Sequence, residues 1–191
     1  MNLPNKITLA RIFLVPIIMV FLLVKWDMGS LHLGDISITY NQIIAVLIFI
    51  IAASTDGLDG YIARKNKLVT NLGKLLDPLA DKLLVSAVLI SLVEMDKLSA
   101  IVAILIVSRE FAVTGLRQIA LLDGTVVAAS KWGKWKTAIQ ITMIIVLLLN
   151  NFPFEYISFP FDVVVTWIAA LITVYSGIDY FMKNKTLLTA K

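Results

Sequence analysis

The sequence contains no cysteine, which excludes a disulfide framework and a thiolate metal site. Its one histidine, His32, lies in a short polar connection and reads as an ordinary surface residue. Charge is scarce as well: Asp, Glu, Lys and Arg make up 16% of the 191 residues. What fills the chain instead is apolar, with 59% hydrophobic residues and a mean hydropathy of +0.90. That leaves too little polar surface to coat a water-soluble globule, so the expected solvent is a bilayer. The net charge of +4 then reflects topology rather than a nucleic-acid partner. No repeat or low-complexity tract interrupts the chain, which reads as a single domain over residues 1–191.

A membrane-crossing helix needs roughly 20 mainly apolar residues. Six segments meet or approach this: Ile7 to Val24, Asn41 to Thr55, Pro78 to Val93, Leu98 to Leu122, Lys136 to Asn150 and Phe161 to Met182. The first has no small-residue cleavage site before Lys25-Trp26-Asp27, so it reads as a retained span rather than a signal peptide. The second and third are short because each ends in an aspartate-rich segment, and both are expected to continue as helix beyond the hydrocarbon. Basic residues cluster at the N-terminus (Lys6, Arg11), in the second connection (Arg64, Lys65, Lys67, Lys74, with Lys82 nearby), in the fourth (Arg117, Lys131, Lys134, Lys136) and in the tail (Lys183, Lys185, Lys191). The alternate connections carry only Lys25 and Lys97. By the positive-inside rule the chain is an all-α integral membrane protein of six transmembrane helices with both termini cytoplasmic.

The segment joining spans two and three reads DGLDGYIARKNKLVTNLGKLLDPLAD. Asp56 and Asp59 are three apart and Asp77 and Asp81 four apart, so on helices each pair shares a face. In pieces the segment is bland: Asp77-Pro78 makes a good helix start, and Asp56-Gly57 and Asp59-Gly60 suit turns. Together they place four carboxylates at the inner membrane interface. A like-charged pair at about 4 Å costs roughly 4 kcal/mol at an effective dielectric near 20, so protonation or cations must relieve the cluster. Two divalent ions would neutralise it, and all-oxygen ligation favours Mg²⁺, Mn²⁺ or Ca²⁺. A two-metal site also suits in-line displacement at phosphorus.

Written with its spacing, the segment is Asp56-x2-Asp59-Gly60-x2-Ala63-Arg64-x8-Gly73-x3-Asp77-x3-Asp81, which resembles the signature of the CDP-alcohol phosphatidyltransferase family at every position. The resemblance implies a six-span enzyme, a homodimer, that moves a phosphatidyl group from a CDP-linked lipid to an acceptor hydroxyl and releases CMP. It implies that Asp56, Asp59 and Asp77 are ligands of two divalent cations, Mg²⁺ or Mn²⁺, and that Asp81 is both a ligand and the general base. Metal ligation depresses a carboxylate's basicity, so Asp81 either holds its metal loosely or acts through a water. Asp59, Gly60, Ala63, Arg64, Gly73 and Asp77 are the implied CDP-lipid contacts, the small residues allowing close approach and Arg64 offering a forked donor to phosphate. At the N-terminus Pro4-Asn5-x2-Thr8-x2-Arg11 also resembles a stretch found in many members. It adds Asn5 and Thr8 to the CDP-lipid contacts, against the plainer reading of capping and headgroup contacts.

The acceptor must be read from the second half. Ser108-Arg109-Glu110-Phe111 puts charge inside an apolar span, where it is costly and usually functional. Arg117 follows eight residues later, about 2.2 helical turns, on nearly the same face. Lys131, Lys134 and Lys136 add cations at the start of span five. A surplus of cations beyond what CDP needs suggests a phosphorylated acceptor. These stretches, with Gly115-Leu116-Arg117 and Gly133-Lys134-x-Lys136-Thr137, resemble the phosphatidylglycerophosphate-forming branch of the family. The implied substrates are CDP-diacylglycerol and glycerol 3-phosphate, the latter's phosphate held by Arg109, Arg117 and some of Lys131, Lys134 and Lys136. Inositol phosphate, serine or phosphatidylglycerol stand as alternative acceptors, and a cation transporter as an alternative of another class. Asp179 reads as interfacial. The small size and absence of a transit-like segment point to a bacterial plasma membrane, with the active site facing the cytoplasm.

Overall fold

A computed structural model describes the backbone of residues 3–24, 26–34, 36–65, 71–122 and 131–184, and their side chains except at 3–4, 56–65, 71–75, 77, 121–122 and 131. The described residues form six α-helices: α1 (Leu3–Leu23), α2 (Tyr40–Lys65), α3 (Asn71–Glu94), α4 (Ala100–Leu122), α5 (Lys131–Leu148) and α6 (Phe161–Lys183). Each contains most of one apolar segment. As expected, α2 runs on past Thr55 and α3 begins well before Pro78. Both bland readings of the aspartate segment are thereby corrected. Asp56-Gly57 and Asp59-Gly60 are in helix rather than turns, and Asp77-Pro78 lies inside α3 rather than starting it. The apolar spacing Leu72, Leu75, Leu76, Leu79 carries the helical pattern upstream of the proline and outweighs the local cap signal.

The helices pack as a bundle. α1 lies against α2 and α3, α3 also contacts α4, and α6 packs on both α4 and α5. Phe49, Leu84, Leu89, Leu92, Ile106 and Met143 are fully buried at the centre. Outward, large apolar side chains stand exposed around the bundle, among them Phe13, Ile101, Ile104, Trp167 and Leu171. A water-soluble surface does not carry apolar exposure on this scale. Among the described residues, Asn5–Leu23 and Phe161–Lys183 are long and apolar enough to cross a bilayer, and Tyr40–Thr55 is a shorter apolar stretch.

The all-helical expectation describes the bundle but misses a β-hairpin, β1 (Ser30–Leu33) and β2 (Ile36–Thr39), paired antiparallel with Leu33 opposite Ile36. Gly34, at φ +63°, supplies the left-handed residue at its turn. His32 is therefore on a strand, exposed, with its Nε2 2.9 Å from Ser30 Oγ. Ile36 and Ile38 are buried. Asn150 Nδ2 donates to Ser37 O at 2.6 Å, tying the hairpin to the α5–α6 connection, which includes a 3₁₀ turn at Phe154–Ile157.

Candidate active site

Among the described residues, α3, α4 and α5 line a common cleft, and α6 stands behind it. α3 contributes Asp81 and Lys82 from its first half, and α5 contributes Gly133, Lys134, Lys136 and Thr137 from its start. α4 adds Arg109, Glu110, Thr114 and Arg117. The cleft measures about 530 Å³. A smaller cavity of about 60 Å³ continues inward from it, sharing Asp81, Lys82, Glu110 and Lys136 and closed below by Leu89, Ile106 and Ile144; Ala53 of α2 lines it too.

The cleft is strongly cationic. Among the described residues its lining holds five cations, Lys82, Arg109, Arg117, Lys134 and Lys136, against two carboxylates, Asp81 and Glu110. Glu110 is the junction. Lys136 donates to its Oε1, Arg109 Nη1 lies 3.4 Å from the same oxygen, and Lys82 Nζ is 3.9 Å from Oε2. Lys136 is only 4% exposed, and a buried ammonium requires such a partner.

α6 supports the two arginines from behind. Arg109 Nη2 donates to Ser176 Oγ at 2.5 Å. A Cβ at Gly177 would come within 3.2 Å of Arg109 Cγ, so glycine there admits the arginine stem. Arg109 Nε is buried with no hydrogen-bond partner among the described residues. Arg117 Nε donates to the Tyr180 hydroxyl at 3.3 Å, and its guanidinium carbon sits 5.4 Å from that ring's centroid. Tyr180 is itself buried.

The sequence-derived candidates divide into three groups. Asp81, Arg109, Arg117, Lys134 and Lys136 converge on the cleft. Asp56, Asp59, Gly60, Ala63 and Arg64 lie on α2, Gly73 and Asp77 on α3 and Lys131 at the start of α5, but their side chains fall outside the described residues. Asn5, Thr8 and Arg11 share one side of α1, and that side is buried, at 5%, 0% and 1% exposure. They lie within the helix and face inward, so headgroup contact does not account for them. Asp179 is bound to Lys183 by an ion pair of 2.7 Å on the last turns of α6. Sequence reasoning passed over Lys82, Ser176 and Tyr180 as site-shaping residues, and treated Glu110 only as an ion-pair partner. A lysine directly after Asp81 was the one visible signal among these.

The sequence profile of the CDP-alcohol phosphatidyltransferases matches residues 1–175. The chain belongs to the CDP-alcohol phosphatidyltransferase family. It is 56% identical over 183 residues, 96% of this chain and 95% of the relative, to a CDP-diacylglycerol–glycerol-3-phosphate 3-phosphatidyltransferase of Bacillus subtilis (strain 168). Proteins of the same name from Rickettsia typhi and Haemophilus influenzae are 38% and 35% identical, each match covering more than nine-tenths of both chains. This phosphatidyltransferase is thus an enzyme of phospholipid biosynthesis, and the transporter alternative is set aside.

Proposed function

We propose that this phosphatidyltransferase transfers the phosphatidyl group of CDP-diacylglycerol to glycerol 3-phosphate, forming phosphatidylglycerophosphate and CMP. The observation that carries this reading is a single cleft holding Asp81 together with Arg109, Arg117, Lys134 and Lys136. Its cationic surplus suits an acceptor bearing a phosphate, which brings about −1.5 to −2 charges at neutral pH, and does not suit serine. The relatives' names agree with that acceptor.

In this reading the arginines and lysines bind the acceptor's phosphate. That contact orients the free primary hydroxyl toward the donor lipid. The hydroxyl's proton goes to Asp81, its oxygen forms a bond to the phosphatidyl phosphorus, and the bond from that phosphorus to the bridging oxygen breaks, releasing CMP. Asp56, Asp59, Asp77 and Asp81 would hold the divalent cations, Mg²⁺ or Mn²⁺. The donor set fits them: carboxylates alone, two on the last turns of α2 and two on the first turns of α3, helices that contact one another. When bound, the cations would supply charge neutralisation on the pyrophosphate. Asp59, Gly60, Ala63, Arg64, Gly73 and Asp77, with Asn5 and Thr8, would contact the CDP-lipid.

The same proposal takes all six helices as spans, with both termini and the cleft on the cytoplasmic side of a bacterial plasma membrane. A purified-enzyme assay tests the chemistry, offering CDP-diacylglycerol with glycerol 3-phosphate, inositol phosphate, serine or phosphatidylglycerol and measuring CMP release. Release is expected with glycerol 3-phosphate, lost on chelation and restored by Mg²⁺ or Mn²⁺. Release with another alcohol and none with glycerol 3-phosphate overturns the acceptor assignment.

A further inference from the structure

We propose that Glu110 is the positioning residue of the acceptor site, an internal counter-ion that holds the phosphate-binding cations in place before the acceptor arrives. The inference rests on the acceptor-site reading above and deepens it. Glu110 lies within α4, yet its carboxylate gathers a cation from each of three helices: Lys82 of α3, Arg109 of α4 and Lys136 of α5. Among the described residues it is one of two carboxylates lining the cleft, and the other is Asp81, whose assigned task is to take a proton.

Three like charges brought together in one cleft repel one another and turn outward unless an anion sits between them. The buried ammonium of Lys136 in addition requires a charged or hydrogen-bonding partner to remain in place. Glu110 meets both needs at once. An ammonium has three donors and a guanidinium five, so Lys136 and Arg109 can keep Glu110 and still donate to an incoming phosphate. Binding then needs little rearrangement, and the ordering cost is met during folding rather than at each encounter. Lys82 directly follows Asp81 in α3, so the same carboxylate also ties the acceptor's cations to the helix that carries the base. Arg117 stands outside this set, held by Tyr180 on α6, and supplies an independent control.

The experiment compares KM for glycerol 3-phosphate with KM for CDP-diacylglycerol in the metal-supplemented, detergent-purified enzyme and in E110Q, E110D and R117A. Expected for E110Q is a rise in the acceptor KM of about tenfold or more, with the CDP-lipid KM within about twofold of wild type; E110D falls between the two. A general structural defect would move both constants together. R117A is expected to raise the acceptor KM as well, by loss of a direct contact. If R117A raises it and E110Q leaves it unchanged or lowers it, Glu110 competes with the phosphate or stands apart from it, and this proposal falls alone. An unchanged acceptor KM in R117A instead overturns the acceptor-site reading beneath it. Should E110Q not fold, E110D and K82M carry the test: each is expected to raise the acceptor KM about two- to fivefold, and no change in either overturns the proposal.

Discussion

At the cleft end of the bundle, polar side chains meet across helices as full charges, with cations in excess and open space between them. At the opposite end, among the described residues, the polar side chains are mostly amides bonded to backbone or to one another, with Lys97 as a buried cation and Asn41 Oδ1 buried without a hydrogen-bond partner. Asn151 Nδ2 donates to Glu155 Oε2 at 3.0 Å and to Phe159 O at 2.8 Å, while its Oδ1 accepts from the Asp162 amide at 3.1 Å. Lys97 donates to Asn150 Oδ1, and Asn150 reaches the hairpin through Ser37 O. The contrast separates two uses of buried polarity. Amides that make their hydrogen bonds fix a connection, whereas clustered charge with cations in excess suits the binding of an ionic partner.

Substitutions can break this comparison from either side. The largest expected effect is at Asp81: Asp81→Asn removes the proposed proton acceptor while keeping shape. CMP release should fall about 10³-fold or more, with CDP-lipid binding by calorimetry largely retained. Normal turnover in that variant removes Asp81 as the base. A smaller effect, on stability alone, is expected at the other end. Asn151→Ala deletes three hydrogen bonds and should cost about 2 kcal/mol, lowering the apparent Tm by roughly 4–8 °C. Its kcat/KM should stay within about twofold of wild type; a large loss of activity there would mean that the two ends are coupled.

The smallest effect concerns Lys97, in the connection between α3 and α4. Burial pushes its ammonium down from 10.5 to about 8. The unfolded chain therefore binds more protons than the folded one between about pH 8 and 10.5, and stability from this group rises with pH across that window. Below pH 8 the folded state carries the full burden of burying the charge. Lys97→Met should gain apparent Tm relative to wild type at pH 7, and the gap should narrow by a few degrees as pH approaches 10.5. A gap independent of pH would show that the ammonium is fully hydrated in the folded protein.

The contrast also explains what was legible in the sequence. Helices of this length announce themselves through apolar runs, and all six were readable; α2 and α3 run ten and seven residues further into the aspartate segment, and the other boundaries differ by at most five residues, where caps and fraying decide. The hairpin was missed although Leu31, Leu33, Ile36 and Ile38 alternate about Gly34, because strands of four residues fall below the length at which alternation stands out. In the cleft, Arg109 and Arg117 were legible because their spacing is a property of one helix. Glu110's junction and the support from Ser176 and Tyr180 depend on which helices become neighbours, and no local spacing encodes that. The buried orientation of Asn5, Thr8 and Arg11 was hidden for the same reason: a shared face can be read from period, but not what covers it.

One feature of α5 bears on how the protein rests between turnovers. The helix opens with Lys131-Trp132-Gly133-Lys134-Trp135-Lys136 and has no acidic residue in its first turn. The start of a helix carries a partial positive charge from its unpaired amides and ordinarily attracts Asp or Glu. Here the sequence places cations where the backbone already favours anions, and Glu110 from α4 offsets one of them at Lys136. On the proposed acceptor site, an arriving phosphate dianion would satisfy amides and ammonium groups together. In that reading the helix start and the lysines beside it share one anionic ligand, and the enzyme would be most at ease with substrate bound.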